Sequence, residues 1–226
     1  MAAPPAASTL VERLSPTTPG RPCSQQDVLA ELRRVILAGE APPGTPIPLE
    51  AVAKLFMVSA IPVRESLKTL IGEGLVDHEP RGGYRVARLT RDELREFYVI
   101  REVLEAAALR SAVARATARD DAVALEVHAA LADSMAAHDH RAYHRESRRF
   151  HVALLAPSRM SRLLHMFEMA WNVTEPAQPM SAVDDVARMH ADHAAMLEAF
   201  TSRDADELVR CSRKHYKRLE RAVGHG

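Results

Sequence analysis

Cysteine, aromatic side chains and net charge are all scarce in this chain of 226 residues. Its two cysteines, Cys23 and Cys211, lie far apart and outside any CxxC spacing, so they indicate neither a disulfide framework nor a zinc ribbon. Aromatic residues make up only 4% of the chain, whereas hydrophobic residues as a whole reach 47%. This composition favours helices packed through aliphatic side chains over a sandwich of strands. We therefore expect a mainly α-helical protein with buried cores.

Long apolar runs are missing as well. No stretch approaches the roughly 20 apolar residues that span a bilayer, and the N-terminus lacks a basic region followed by an apolar core. The spacing of the cysteines fits a reducing compartment. These features predict a soluble, cytoplasmic protein without a membrane partner, and the length is typical of two modest domains.

The lack of net charge extends to the N-terminal third of the chain. Residues 23 to 88 contain eight basic and eight acidic side chains. Because nonspecific affinity for nucleic acid grows with the number of phosphates neutralised, a DNA-binding function here would depend on a few well-placed cations. It would also need two copies of the protein acting together.

The chain begins with a segment that has no periodicity and continues with two helical patterns. Residues 1 to 22 are rich in Ala, Pro, Ser and Thr, which predicts a disordered tail. Apolar residues then recur at helical spacing from residue 27 to 39, until the segment 41–46, rich in Pro and Gly, ends the helix. A second, short helix is expected over residues 50–56.

The most informative segment is a third helix followed by two β-like stretches. Ser59 can cap this helix, and its apolar residues share one face, which leaves Arg64 and Lys68 outward at i,i+4 spacing. Both cations can therefore reach phosphates or base edges. A Gly82-Gly83 turn separates the β-like stretches. Helix, turn, helix and β-wing together predict a winged helix-turn-helix DNA-binding domain over residues 23 to 88.

From residue 89 to 226 the chain is almost continuously amphipathic helix, which begins after a plausible cap at Thr90. This pattern predicts an antiparallel bundle of about six helices in a second domain. The expected spans are 91–117, 120–138, 140–156, 159–174, 181–201 and 204–222.

Three of the eleven histidines fall in the middle of apolar stripes in this second domain. His151, His193 and His215 belong to three different helices, and an imidazole that faces a core needs a partner. Three converging imidazoles suit zinc, nickel or another divalent ion, with a position left for water or an anionic ligand. The alternative is that each is a hydrogen-bonded core residue.

Arg101 also lies on an inward face, so this cation should have an anionic partner. We expect it to pair with Glu105, one helical turn later. The alternative is that its forked donors bind a carboxylate of a small-molecule effector.

Both predicted domains carry recognisable motifs, which are Pro43-Gly44, Glu50-Ala51-Val52-Ala53, Val58-Ser59, Pro62-Val63-Arg64-Glu65-Ser66-Leu67, Glu73-Gly74-Leu75-Val76, Arg81-Gly82, Arg101, Glu105, Phe150-His151, His193 and His215. Together they resemble the GntR family of bacterial regulators, in the FadR-like branch that has a C-terminal helical effector-binding (FCD) domain. The resemblance covers residues 25 to 222. It implies a homodimeric, ligand-responsive transcription regulator, a repressor as most relatives are, that binds double-stranded operator DNA and senses a small organic acid.

The resemblance places the DNA contacts on the third helix and the wing. The family usually carries Arg-Thr where this chain has Ala60-Ile61, so a basic contact is missing and the operator preference is expected to be altered or weaker. The residues expected to contact DNA are Ser59, Ala60, Ile61, Arg64, Lys68, Arg81 and Gly82.

Many relatives bind a divalent metal through one Asp and three His. The three His positions match His151, His193 and His215, but the Asp position is Ser147 in this chain. Metal affinity should therefore fall, or an organic effector replaces the metal; Cys211 and His144 are further potential ligands. The residues expected to bind the effector are Arg101, Ser147, His151, His193 and His215.

Two other interpretations stay open at this point. One is a degenerate regulator that binds ligand but has lost DNA binding, which Ala60, Ile61 and the neutral first domain would support. The other is a zinc hydrolase in which the three histidines activate a metal-bound water. The sequence has no HExxH motif and no evident inward general base, so we expect no enzyme.

Overall fold

The computed structural model describes residues 10–16, 22–174 and 183–224. The chain divides between Leu89 and Thr90 into two compact units, each with its own hydrophobic core. The predicted fold class, a mainly α-helical protein with a small sheet in its first unit, is confirmed. None of the helices in these ranges is long and apolar enough to cross a bilayer.

The first unit consists of four helices and a small sheet. Its helices are α1 (Leu10–Arg13), α2 (Gln25–Leu37), α3 (Leu49–Leu55) and α4 (Ala60–Gly72). Ser24 and Asp27 form a reciprocal capping box that starts α2. Helix α2 packs against α4, and their buried faces meet the sheet in one core. The third helix predicted from the sequence is therefore α4. Its inner face packs into this core, so its outer face stays exposed.

The wing is a hairpin of β2 (Val76–Glu79) and β3 (Gly83–Val86), as the sequence predicts. A third strand, β1 (Pro46–Ile47), was not predicted; it pairs antiparallel with β3, so the order in the sheet is β1-β3-β2. A strand of two residues is too short to show the alternating periodicity that predicts a strand from sequence. Together these pairings anchor the hairpin to the helical core.

Helix α1 corrects the prediction of a disordered tail. Leu10 and Leu14 are buried in the core of the first unit, and the backbone N–H of Ser15 donates to the Glu31 carboxylate at 2.8 Å. The composition argument failed because two leucines four residues apart are enough to dock one helical turn on an existing core. The rest of the predicted tail, residues 1–9 and 17–21, lies outside the described residues.

The second unit is a bundle of six α-helices within the described ranges. Thr90 and Glu93 form the capping box that starts the first of them. A short 3-10 turn at Ala156–Ser158, which was not predicted, separates the third helix from the fourth. The helices are α5 (Arg91–Arg115), α6 (Ala118–Ala136), α7 (His140–Leu155), α8 (Ser161–Thr174), α9 (Val183–Thr201) and α10 (Ala205–Gly224).

The packing of this bundle decides which helix faces meet. Helix α5 packs against α8 and α10, α6 against α7, and α9 against both α6 and α10. The buried residues along these contacts are almost all aliphatic or aromatic. Most of the exceptions lie on α5, α7, α9 and α10, where buried polar side chains face one another; the others are Ser134 of α6, Ser158 of the 3-10 turn and Thr174 of α8.

Candidate functional site

Three buried histidines converge in the core of the second unit. His151 of α7, His193 of α9 and His215 of α10 are all buried, and one potential ligand atom from each lies within 4.8 Å of the other two. The Nε2 atoms of His151 and His193 are 3.3 Å apart. The structure thus brings together the three histidines that the sequence singled out.

Polar groups hold two of these rings from behind. Nδ1 of His151 lies 2.9 Å from a carboxylate oxygen of Glu105, and Nδ1 of His193 lies 3.3 Å from the Tyr143 hydroxyl. Because Nδ1 is engaged, each ring turns its Nε2 toward the centre of the cluster. A carboxylate behind a histidine is the usual outer partner of a metal-ligating imidazole.

His215 is placed differently. Its Nδ1 has no hydrogen-bond partner among the described residues, and the nearest carboxylate oxygen, from Asp192, is 4.0 Å away. Asp192 is itself buried and is bound by Arg218 at 2.7 Å and Lys214 at 3.1 Å. A buried imidazole nitrogen without a partner is costly unless something else binds it.

The electrostatics of the cluster favour the neutral form of two of its imidazoles, His193 and His215. Burial lowers the pKa of His193 well below its ordinary value, and the neighbouring histidines lower it further. Burial also lowers the pKa of His215 well below its ordinary value, with additional effects from His151, Arg101 and Arg218. Neutral imidazole is the form that binds a metal ion, and a set of three imidazoles, one of them backed by a carboxylate, is a ligand set that fits zinc or nickel.

Ser147 lies one turn before His151 on α7. Many members of the family that the chain resembles carry the metal-binding Asp at this position. Its side chain is buried and its Oγ is 3.4 Å from Nε2 of His193. A serine hydroxyl at this point is neutral, so it offers no charge to a metal ion. The neighbouring Glu146 does not replace it, because its carboxylate pairs with Arg145 and Arg149.

The two further potential ligands are not part of the cluster. The thiol of Cys211 donates to Glu207, and burial is the first cause that raises its pKa to about 11. A thiol with so high a pKa is a poor ligand. His144 points elsewhere on α7, and burial lowers its pKa. Among the described residues, the His, Cys, Asp and Glu side chains that lie close enough together to hold a metal ion are those of His151, His193 and His215.

The predicted pair of Arg101 with Glu105 is wrong. Glu105 is fully buried and accepts hydrogen bonds from His151, from Ser212 Oγ at 2.9 Å and from Tyr216 Oη at 2.8 Å. Burial raises the pKa of this carboxyl, but the charge of His151 and the three donors outweigh burial, so the pKa is lowered. The sequence could not show this, because two of the donors come from α10.

Arg101 is fully buried without a carboxylate partner among the described residues. Its Nη1 donates to Thr174 Oγ1 at 3.0 Å, while Nε and Nη2 have no hydrogen-bond partner there. Its Cζ lies 3.5 Å from the ring centroid of Trp171, and that ring is 5.1 Å from the ring of His151. Arg101 and the histidine cluster therefore meet the same tryptophan.

Sequence reasoning missed four of the residues that complete this site. Each is a serine or an aromatic residue, types that also occur in ordinary helix cores, so nothing in its local pattern distinguishes it from core. The one signal that could have been used is that the chain has a single Trp. The missed residues are Tyr143, Trp171, Ser212 and Tyr216.

The outer face of α4 carries the residues that the sequence assigned to DNA. Ser59 is at the N-cap position of α4, as expected, although its side chain makes no capping hydrogen bond. Arg64 is exposed, and Ile61 is 67% exposed. The exposed Lys68 pairs with Glu65 of the same helix at 2.9 Å. Ala60 starts the helix and is partly exposed.

The tip of the wing presents Arg81 and Gly82 to solvent. Arg81 has a φ of 70°, in the left-handed region that a residue with a side chain rarely adopts. A Cβ at Gly82 would lie only 2.8 Å from the Cβ of Glu79, so a larger residue there would displace Glu79. A tight tip of this kind holds Arg81 at the end of the hairpin.

The comparison with protein families gives two matches that cover both units. The profile of the bacterial regulatory proteins of the gntR family matches residues 24–86, and the profile of the FCD domain matches residues 96–218. The second match covers more than half of the chain. It contains the three histidines, Arg101 and Ser147.

Known regulators are similar to parts or most of the chain. BphR, an HTH-type transcriptional regulator of Paraburkholderia xenovorans strain LB400, is 25% identical over 192 residues, which cover 81% of this chain and 78% of BphR. The HTH-type transcriptional repressor RspR of Escherichia coli strain K12 is 33% identical over 109 residues, 48% of this chain and 46% of RspR. The gluconate operon transcriptional repressor of Bacillus licheniformis is 40% identical over 78 residues, 34% of this chain and 32% of its own length.

Two solved structures share the fold. A GntR transcriptional regulator from Rhodococcus sp. RHA1 has a TM-score of 0.79 at 20% identity and covers 89% of this chain and 98% of its own. E. coli McbR/YncC has a TM-score of 0.77 at 21% identity, and the match covers 88% of this chain and 96% of McbR/YncC. The architecture of both units is thus one already seen in bacterial regulators.

Proposed function

Because the chain belongs to the GntR family of bacterial transcription regulators and carries an FCD effector domain, we propose that it is a homodimeric repressor sensing a small organic acid. DNA binding and regulation of transcription follow from the family, whose members are regulators and not enzymes. The zinc hydrolase is therefore set aside. Repression, the dimer and the class of effector are the parts proposed.

The proposal that the effector is an organic acid rests on one observation, the buried guanidinium of Arg101. Two of its nitrogens lack partners among the described residues, and the third donates to the neutral Thr174 hydroxyl. A buried cation in this state costs several kcal/mol of desolvation unless an anion compensates for it. A carboxylate is an anion whose two oxygens match the paired donors of the guanidinium fork.

A divalent metal ion held by His151, His193 and His215 would supply a second point of attachment. The ion would attract an anionic ligand, while the protein fixes its position through Glu105 behind His151 and Tyr143 behind His193. With Ser147 in place of a carboxylate, fewer coordination positions are filled by protein, which leaves more room for a ligand. Arg101 would then orient the effector's carboxylate over Trp171.

The DNA contacts are proposed for the outer face of α4 and the tip of the wing. Arg64 is the one exposed cation of α4 without an ion pair among the described residues, so we expect it to contribute most to DNA affinity. Ile61 and Ala60 would meet the groove through apolar contacts, for example with thymine methyl groups. Such contacts read sequence but add no electrostatic affinity, which fits the neutral charge of this unit.

Regulation requires only that the effector bind two dimer geometries with different affinity. A difference of about 1–3 kcal/mol changes operator affinity by roughly 5- to 150-fold. The dimer has a direct test, since a protein that sediments as a monomer at micromolar concentration would contradict it.

The deciding experiment measures fluorescence anisotropy of DNA from the intergenic region beside the protein's own gene, across a salt series. We expect specific binding that Arg64→Ala abolishes and that Lys54→Ala, an exposed cation of α3, leaves nearly intact. A panel of mono-, di- and hydroxycarboxylates is then added to the complex, with zinc and with chelator. At least one acid should change the affinity for DNA in the wild type but not in Arg101→Met, which keeps the apolar stem and removes the charge.

Two outcomes would contradict parts of the proposal. Binding no tighter than to random DNA would favour the degenerate regulator that has lost its operator. Equal responses to the acids in the wild type and in Arg101→Met would remove Arg101 from the effector site.

A further inference from the structure

A buried carboxylate, Asp192, lies between the three-histidine cluster and the surface of α10 and has no role in the function proposed above. Asp192 precedes His193 on α9 and is only 2% exposed. Arg218 donates to both of its oxygens, at 2.7 and 3.3 Å, and the Lys214 ammonium lies 3.1 Å from one of them. The side chains of these two cations are 30% and 60% exposed. Asp192 therefore connects the core of the second unit with solvent-facing side chains of α10.

His215 is the ring of the cluster whose Nδ1 lacks a hydrogen-bond partner among the described residues. The other two rings each have a polar group within 3.3 Å of Nδ1. Nδ1 of His215 is buried and lies 4.0 Å from Oδ2 of Asp192. A hydrogen bond between such groups is about 3 Å long, so the gap is about 1 Å. A small rotation of either side chain closes it.

The carboxylate of Asp192 has the capacity for this additional hydrogen bond. Each oxygen of a carboxylate can accept about two hydrogen bonds. Oδ2, the oxygen nearer to His215, accepts from Nε of Arg218 at 2.7 Å, so it can also accept from the imidazole. The pair with Arg218 therefore stays intact, and it holds the carboxylate beside the ring.

The chemistry of imidazole decides which nitrogen of His215 donates. A neutral imidazole carries one hydrogen, on Nδ1 or on Nε2. The nitrogen that binds a metal ion must be free of hydrogen, so the other nitrogen becomes a donor. Because Nδ1 is the nitrogen next to Asp192, Nε2 is the one available as a ligand. Burial lowers the pKa of His215 well below its ordinary value, which keeps the ring neutral.

We propose that Asp192 positions His215 as a metal ligand by accepting the hydrogen bond of its Nδ1–H. This role rests on the metal site proposed above, to which Asp192 adds an outer partner behind the third ring. Lys214 and Arg218 hold the carboxylate from the side of the solvent, so this support of the ligand comes from the surface of α10. The competing role for Asp192 is a purely structural anchor that joins α9 to α10 through its ion pairs.

The test measures the zinc affinity of the full-length protein by competition with a chromogenic chelator, and the visible absorption spectrum of its Co²⁺ form. Asp192→Asn removes the charge with little change of volume. Asp192→Glu keeps the charge and reaches one methylene further, which the 4.0 Å separation accommodates. The matched control is Glu146→Gln, because Glu146 is also a buried carboxylate and pairs with the exposed Arg145 and Arg149.

Asp192→Asn should weaken zinc binding about tenfold, at the lower end of the roughly 10- to 100-fold losses typical of outer partners, because an amide oxygen can still accept. Asp192→Glu should stay within about threefold of the wild type, and Glu146→Gln within about twofold. At saturating Co²⁺ the visible bands should change in Asp192→Asn alone, because they report the geometry of the ligands. A purely structural anchor would lower the thermal midpoint of the metal-free protein without changing these bands.

A measurement on the wild type decides the question even if Asp192→Asn does not fold. Protein labelled with ¹⁵N-histidine is loaded with zinc, and nuclear magnetic resonance shows which nitrogen of His215 carries the hydrogen. We expect it on Nδ1, and a hydrogen on Nε2 would overturn the proposal.

The remaining outcomes separate this role from the metal site itself. Equal losses of zinc affinity in Asp192→Asn and Glu146→Gln would overturn it, since any nearby negative charge would then have the same effect. Wild-type affinity and an unchanged Co²⁺ spectrum in Asp192→Asn would leave the metal site standing and reduce Asp192 to an anchor of α10. A wild type that binds neither ion would contradict the metal site and, with it, the role of Asp192.

Discussion

Replacing Ser147 by Asp tests directly whether the three-histidine cluster holds a metal ion. Ser147 Oγ is 3.4 Å from Nε2 of His193, and the side chain is buried. An aspartate here places a carboxylate beside the three imidazoles, as in many metal-binding relatives. We therefore expect Ser147→Asp to tighten zinc binding.

The size of the effect follows from two opposing terms. At about 4 Å and an effective dielectric constant of about 20, two unit charges attract by roughly 4 kcal/mol, and a divalent ion doubles this to roughly 8 kcal/mol. Desolvating the buried carboxylate costs several kcal/mol in return. A net gain of about 1–3 kcal/mol remains, which corresponds to roughly 5- to 150-fold in the dissociation constant for zinc.

Without metal, the same substitution has the opposite sign. The new carboxylate is then buried beside neutral imidazoles with no cation to compensate for it, so the metal-free variant should be less stable than the wild type. The thermal midpoint should therefore fall in chelator and rise with zinc, by a larger increment than in the wild type.

The assay combines competition for zinc with a chromogenic chelator and thermal unfolding in zinc and in chelator. Ser147→Asn is the matched control, because an amide has nearly the volume of a carboxylate without its charge. If Asp and Asn change zinc affinity equally, or if Asp weakens it, the three histidines do not act as a metal site with an open position at Ser147.

Three further predictions concern stability. Glu105→Gln should destabilise the protein by about 2–3 kcal/mol, since an amide cannot accept from three buried donors at once; an unchanged urea midpoint would contradict the role of Glu105 in the core. Leu10→Ala should cost about 2–4 kcal/mol if α1 is docked as described, and a loss below about 0.5 kcal/mol would indicate a disordered segment. Because the pKa values of His193 and His215 are lowered in the folded protein, the unfolded chain binds protons that the folded chain excludes. The metal-free protein should therefore lose stability as the pH falls below about 6.5, and equal midpoints at about pH 7.5 and 5.5 would refute this.

The elements of this fold could be predicted because their signals are local. Helical periodicity places α4 with Arg64 outward, and the glycines at 82 and 83 predict the hairpin. Strand β1 and helix α1 could not be predicted in the same way. Each is too short for periodicity, and each is held by contacts with distant parts of the first unit.

The buried polar residues show where prediction from local spacing fails. Arg101 and Glu105 are one turn apart on α5, so a pair between them was reasonable. In the folded chain Glu105 instead meets Ser212 and Tyr216, which lie 107 and 111 residues later. Arg101 stacks on Trp171 and lacks a carboxylate partner in the described ranges.

The sequence by itself determined which of the longer helices form, which faces they bury and that three histidines face the core, because these follow from side-chain periodicity within one helix. Only the tertiary structure decided which donors surround Glu105, what lies behind each imidazole and that Arg101 has two unpartnered nitrogens. The physical reason is that a buried polar group is satisfied by whichever partner the packing of several helices brings within about 3 Å, and that distance is set by contacts across the whole bundle.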